Sequence, residues 1–244
     1  MIEWSDDALV LAARPHGETS AVLQLLTREH GRHAGLLRGA FSRRNRGLLE
    51  PGNQVTAKWQ ARLADHLGTY SCELAAAHSA RLLDDPDRLA ALSAAAALCE
   101  EALPEREAHP LCYDGFLALI AALHGEHWAE TYVRWELGIL GELGFGLDLA
   151  NCAAGGDHSQ LAYVSPRSGR AVSLAAAAPF RERLLTLPRF LAGGGGQGGR
   201  TEVAQGLRLT GYFFERHVFH PRERQLPAAR LRLQERFPLP EGSG

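Results

Sequence analysis

Lysine is nearly absent. Of the 26 basic residues only Lys58 is not arginine, and Met1 is the one methionine. Arginine forks onto phosphate and stacks on bases, but the same bias follows from GC-rich coding, so its placement carries more than its number. No apolar run reaches the roughly 18 residues that span a bilayer, and the acidic start MIEWSDD lacks the basic, then apolar, layout of a signal peptide. Both absences point to a cytoplasmic protein without a membrane partner. The four cysteines, Cys72, Cys99, Cys112 and Cys152, show no C-x-x-C spacing, which removes a disulfide framework and a zinc knuckle and favours buried thiols. There is no Gly-x-Ser-x-Gly elbow, no cysteine in an activating context and no carboxylate pair in a Gly-rich setting. These absences argue against a locally encoded enzyme site, though not against one assembled from distant residues.

What is present is a polarised charge distribution behind a formal net charge of −2. Residues 31–62 hold seven bases (Arg32, Arg38, Arg43, Arg44, Arg46, Lys58, Arg62) against the single acid Glu50. Residues 81–150 hold four bases and thirteen acids, and residues 200–236 hold eight bases and four acids. A Gly- and Ser-bearing turn crowded with guanidinium groups suggests a strand connection that meets a polyanion. The sign change near residue 80 coincides with a change of pattern, and a domain boundary is expected there.

Before it, five short apolar segments separated by turns read as strands: Ala8–Pro15, Ser20–Thr27, His33–Gly39, Gln54–Ala61 and Gly68–Ala75. This predicts a five-stranded OB-fold barrel over residues 1–79, with an SH3-like barrel as the alternative. After it, helical spacing over Pro86–Ala102, Leu111–Leu123 and Trp128–Leu143 predicts an α-helical domain over 80–237, an α+β chain overall. An irregular insertion over 144–172 contains a hairpin, LAYVS and RAVSL about Pro166–Gly169. Further helices are expected at Pro179–Leu187, Thr201–His217 and Ala228–Phe237, and a disordered tail at 238–244.

GGGGQGG (Gly193–Gly199) follows no strand and precedes no Lys-Ser/Thr, so it reads as a linker rather than a phosphate loop. His124/His127 and His217/His220 lack partner cysteines and read as solvated helix ends. Cys152 with Asp157 and His158 offers one thiol, too few for a closed structural site. The arginine-rich turn survives best, as a loop that contacts phosphate. Trp59 stacks a base there if it faces outward and belongs to the core if it does not. The basic stretch at 200–236 either extends that path or receives an acidic peptide.

The succession PHGETSAVLQLLTREHG, LLRGAFSRRNRGLLEPG and YVRWELGILGELGFGLDL, followed by LAYVSPRSGRAVS, resembles the bacterial recombination mediator family RecO over residues 5–236. The resemblance implies an OB-fold followed by a helical domain. It also implies binding of single- and double-stranded DNA, annealing of complementary strands, and loading of RecA with RecR onto strands coated by single-stranded DNA-binding protein. A cytoplasmic, nucleoid-associated location follows.

Mapped onto this chain, Arg38, Arg43, Arg44 and Arg46 occupy the family's basic loop, with Arg32 and Lys58 beside it as DNA-binding candidates. Arg134 falls at a position implied to meet the acidic C-terminal tail of the coating protein, and Arg230 lies in a more loosely matched basic stretch. Some relatives carry a four-cysteine zinc site where this chain has only Cys152, so neither metal nor cofactor is expected, and no catalysis. The acidic segment 81–150 would then repel DNA. The alternatives are a metal- or cofactor-dependent enzyme on the helical domain, or a protein-interaction adaptor without direct DNA contact.

Overall fold

Ala8–Leu11 of the first strand and Ala21–Leu26 of the second are apolar at every position but Gln24 because both faces of the sheet are covered there. In the computed structural model, which describes residues 1–43, 45–153, 155, 160–193 and 198–239, β1 (Ile2–His16) pairs antiparallel with β2 (Ser20–Thr27). Val10 and Leu25, opposite each other, enter the barrel core, while the next pair, Leu9 and Leu26, is buried on the other face. That outer face is where α1 (Pro86–Ala102) packs against β1 and β2.

The ring is completed by β3 (Gly31–Leu37), β4 (Gln54–Ala61) and β5 (Thr69–Ala76) in the order β1-β2-β3-β5-β4, closed as a barrel. β4 shows the opposite pattern to β1. Val55, Ala57, Trp59 and Ala61 point inward, and Thr56, Lys58 and Gln60 are exposed, which is the alternation of a strand with one solvated face. The α+β fold class and its OB-like first half stand.

Closure is weakest between β3 and β5, which pair only at Leu36 and Leu37. The connection from α1 to α2 (Pro110–Ala122) takes over the rest of the β3 edge. The Arg106 amide donates to the Arg32 carbonyl at 2.8 Å, and Glu105 bridges Arg32 as a short parallel ladder. Arg106 itself has φ +61°, and its guanidinium donates to the carbonyls of Ala64 and His66 in the β4–β5 connection. One residue therefore ties its own segment to β3 through its amide and to the β4–β5 connection through its guanidinium.

The helix α1 starts where Asp85 accepts from the amides of Asp87 and Arg88, with Pro86 in its first turn, the usual chemistry of a helix start. It does not leave the barrel for a separate bundle. One compact unit comprises Met1–Ala121 with Pro227–Arg230, and the other Ala122–Leu226 with Leu231–Gly244. The barrel ends near residue 76, but its compact unit reaches 45 residues further, with α1 packed on β1 and β2 and α2 tied to the barrel through Arg28–Asp114 and Gln54–Tyr113.

The second unit pairs α3 (Trp128–Glu142) with α5 (Arg200–Phe214). Between them lie β6 (Asp148–Cys152), β7 (Leu161–Val164), β8 (Arg170–Ser173) and β9 (Leu185–Thr186), a sheet of order β6-β8-β7-β9. The expected hairpin is the β7–β8 pair. The helix expected over Pro179–Leu187 is not one: α4 (Leu174–Ala177) and a 3-10 turn to Arg183 lead into β9, whose pairing with β7 claims Leu185 and Thr186. A tertiary ladder overrides local propensity there. After α5 and a π turn over Glu215–Phe219, the last helix is α6 (Ala228–Glu235). Most of the glycine linker and the end of the tail, 194–197 and 240–244, lie outside the described residues. Among the described residues no helix is long and apolar enough to cross a membrane.

Two predictions follow from the barrel. Gly31, at φ +67°, ends the T-R-E-H-G turn, and a Cβ there would sit 1.8 Å from the Glu107 carbonyl oxygen. Gly31→Ala is expected to cost about 1–3 kcal/mol for the displaced backbone above the roughly 1–2 kcal/mol of a left-handed residue. Gly17→Ala, at φ +68° with open space around it, carries only the second cost, so urea unfolding of the two variants isolates the contact.

His33 is 4% exposed, and its Nδ1 donates to the Ala34 carbonyl at 2.9 Å. Burial, and then the nearby Arg106 charge, lower its pKa from 6.5 to about 4, so the folded state holds it neutral. Unfolded chains take up a proton near 6.5 that folded chains refuse until about 4. Stability should therefore fall as pH drops through that window, and His33→Asn should flatten this part of the urea-midpoint profile.

Candidate nucleic-acid interface

The chain leaving β3 plugs the barrel before it re-enters as β4. Ala40 and Leu48 are buried in the barrel core cluster, with Leu49 packed against it. Between these anchors the backbone is bonded to itself. The Ser42 amide donates to the Gly39 carbonyl at 3.1 Å, the Asn45 amide donates to Ser42, and the Asn45 side-chain amide donates back to Gly39 at 3.1 Å. A 3-10 turn over Arg46–Leu49 follows. Gly39 supplies the left-handed bend, at φ +62°, that turns the chain over the barrel end.

Asn53 fastens the far end of the loop. Its side-chain amide donates to the Gly47 carbonyl at 2.6 Å, and its oxygen accepts from the amide and the hydroxyl of Ser79 at 2.9 and 3.0 Å. Burying Ala40 and Leu48 leaves Arg38, Phe41, Arg43 and Arg46 no inward direction, and all four are exposed. Among the described residues, Arg38, Arg43 and Arg46 form no ion pair, whereas Arg14 pairs with Glu100, Arg28 with Asp114 and Arg88 with Asp85. Arg44 lies outside the described residues.

A polar groove of about 380 Å³ adjoins the loop, lined by Arg38 and Asn45 on one side and by Gln60, Thr69, Ser71 and Glu73 from the β4–β5 surface on the other. Cys72 also lines it, but burial pushes its thiol up to about 12, so little thiolate is available as a nucleophile near neutrality. The groove offers hydrogen-bonding groups and one cation at its edge.

The remaining candidates divide. Arg32 is half-buried in β3, its Nε donating to the Leu103 carbonyl at 2.9 Å and its Nη1 to Gln24 at 3.4 Å; it holds the end of α1 on the barrel. Lys58 is exposed on β4 and sits 3.5 Å from Glu3. Trp59 is buried, donates its indole N–H to the Leu67 carbonyl at 2.9 Å and stacks on Trp4. It is a core residue and cannot be a base platform.

In the second unit, Arg134 is exposed on α3, with its guanidinium 5.1 Å from the Phe190 ring centre and donating to the Phe190 carbonyl at 2.9 Å. Arg230, expected on a partner surface, belongs to the first unit and is fully buried, so it offers a partner nothing to touch. Arg208, Arg216, Arg222, Arg224 and Arg232 are exposed. Cys152 is buried and accepts the Ser173 amide at 3.4 Å, while Asp157 and His158 lie outside the described residues. No uniform acidic face emerges from residues 81–150: Asp85, Glu100, Asp114 and Asp148 pair with arginines, and Glu130 and Glu136 are buried. The Glu136 carboxylate accepts the Thr210 hydroxyl from α5.

Sequence reasoning passed over Phe41. Its ring is 42% exposed, and the signal was there in GAFSRRNRG: one large apolar side chain inside a run of charge, in a loop with no alternation to bury it.

The family model described as Recombination protein O N terminal matches residues 1–77, and the one described as Recombination protein O C terminal matches residues 83–226. The chain belongs to the RecO family. It is similar to the DNA repair protein RecO of Rhodospirillum centenum, 60% identical over 238 residues that cover 97% of this chain and 95% of that protein. It is also similar to the proteins of that name from Rhodospirillum rubrum, 54% identical over 97% of each chain, and Phenylobacterium zucineum, 50% identical over 97% of this chain and 98% of that one. The two RecO segments meet between 77 and 83, where the charge changes sign.

Asn53→Ala removes the partner of three polar groups at once. Leaving buried groups unsatisfied costs about 1–3 kcal/mol each, so a loss of at least about 2 kcal/mol is expected in urea unfolding. Trypsin should then cut faster at Arg43 and Arg46 under native conditions; an unchanged cutting rate would show that Asn53 does not hold the loop.

Proposed function

We propose that this chain is a DNA-binding recombination mediator that holds single and double strands through the β3–β4 loop, anneals complementary strands and acts without catalysing a covalent step. Membership of the RecO family supports a role in DNA repair and recombination. The observation that carries the DNA contact is the anchored loop itself, with three exposed guanidinium groups and no acid paired to them among the described residues.

Phosphates neutralised at Arg38, Arg43 and Arg46, with Arg44 beside them, release counterions, so affinity falls steeply with salt and carries little sequence preference. With its phosphates screened, a held strand repels its complement less, which lowers the electrostatic barrier to pairing. Lys58, already opposite Glu3, adds less, and Arg32 is committed to α1. Passing a strand to RecA, with RecR as partner and the acidic tail of single-stranded DNA-binding protein as the docking signal, extends this reading. Arg134 is the exposed candidate for that tail contact. Its guanidinium already lies over Phe190, and an acidic peptide with an apolar end suits a cation beside a ring.

A salt titration tests the loop. For Arg38→Ala/Arg43→Ala/Arg46→Ala, the slope of log affinity against log salt on single-stranded DNA should fall by roughly 0.7 per lost phosphate contact, about 2 for the three. Unchanged affinity and slope would remove the loop from the interface and leave a protein-interaction adaptor as the better account.

A further inference from the structure

We infer that Phe41 stacks on an unpaired base, which makes the loop a reader of single strands as well as a phosphate clamp. The inference deepens the proposed DNA contact and rests on it. The ring is 42% exposed, between Arg38 on one side and Arg43 and Arg46 on the other. Its position is set by its neighbours: Ala40 is buried in the barrel plug, and the Ser42 and Asn45 amide groups bond back toward Gly39. The ring makes no aromatic contact among the described residues, whereas Trp4, Trp59 and Tyr70 are engaged with one another inside the barrel. Phe41 is also the one exposed tryptophan, tyrosine or phenylalanine among the described residues of its unit.

Isolated apolar side chains on a surface are ordinary. This one follows the buried anchor Ala40 on a hydrogen-bonded loop whose sequence is rich in arginine, and the loop residues Arg38 and Asn45 line the polar groove. A ring so placed meets a π-face only when the strand is open, because in a duplex each base is already stacked on its neighbours. The arginines see phosphate in either form. Phosphate contact therefore supplies affinity for both, and stacking supplies a preference for the single strand. The groove offers Gln60, Thr69, Ser71 and Asn45 to the sugar or base edge of the same nucleotide.

Phe41→Ala, Phe41→Trp and the wild type should be compared at one salt concentration on a single-stranded oligonucleotide, on the same length of duplex, and on a strand abasic at every position. Phe41→Ala is expected to weaken single-strand binding by about 5- to 150-fold, the range that loss of one stacked base spans. Duplex binding, abasic-strand binding and the salt slope should change by less than about twofold, and Phe41→Trp should retain single-strand affinity. Since the ring is exposed, an unchanged urea midpoint should accompany these effects. Equal losses on all three ligands would overturn stacking in favour of a general loop disturbance, and no loss on any would overturn it outright. In either case a lowered slope in the triple arginine variant keeps the phosphate reading, while an unchanged slope removes both.

Discussion

Everything exposed on the loop depends on what is buried at its ends. A five-stranded barrel leaves an open end that must be filled, and here Ala40 and Leu48 fill it. Burying a leucine contributes about 1.5–3 kcal/mol, more than one exposed ion pair, so the plug and not the charges decides where the backbone runs. Once it runs there, the residues between the anchors face water. Three arginines with no acidic partner among the described residues sit on that bonded backbone; on the proposed reading, this reduces the ordering cost of meeting phosphate. The same buried contact thus serves stability and preorganisation.

The barrel has also spent part of its surface. The outer face of β1 and β2 is covered by α1, and the edge that β3 leaves open is closed by the α1–α2 connection through Arg106. Arg14, Arg28 and Arg32 hold these helices in place through Glu100, Asp114 and the Leu103 carbonyl. What stays open is the β4–β5 surface with the plugging loop beside it. A count of positive charge along the chain overstates the proposed interface for this reason: an arginine bonded to a carbonyl or a carboxylate has little left for phosphate. The acidic count over 81–150 is overstated in the same way, since Glu100 and Asp114 are the partners of two of those arginines.

Much of the fold was legible. Ser20–Thr27, Gln54–Ala61 and Pro86–Ala102 have the predicted limits at both ends because local chemistry marks them: Pro51-Gly52 before β4, and Asp85 with Pro86 at the start of α1. The losses have a common cause. β9 is two residues long and exists only by pairing with β7, and the acidic first half of β1 is a strand because β4 lies alongside it. Arg230 and Arg32 read as surface cations because charge says nothing of burial. The burial of Trp59 is legible in the strand pattern. In QVTAKWQA the residue shares its face with Val55, Ala57 and Ala61, so period two already placed it inside, and the ring for a base had to be sought in the loop.

A strand-annealing protein has conflicting needs. It must bind open strands, yet leave their bases free to find a complement. A surface with many stacking rings meets the first need and defeats the second, because each base taken as a partner is withdrawn from pairing. In the first unit four of the five tryptophan, tyrosine and phenylalanine residues other than Phe41 are buried, and the fifth, Trp4, is half-buried against His30 and Trp59. On the proposed reading, one ring stacks one base and the arginines hold the phosphates around it, so most bases of a bound strand remain accessible. Affinity then comes mainly from counterion release, which a second strand entering the same field shares, and discrimination comes from a single contact that a pairing base can leave. That division suits release of the finished duplex, since the duplex keeps the phosphate term and loses the stacking one.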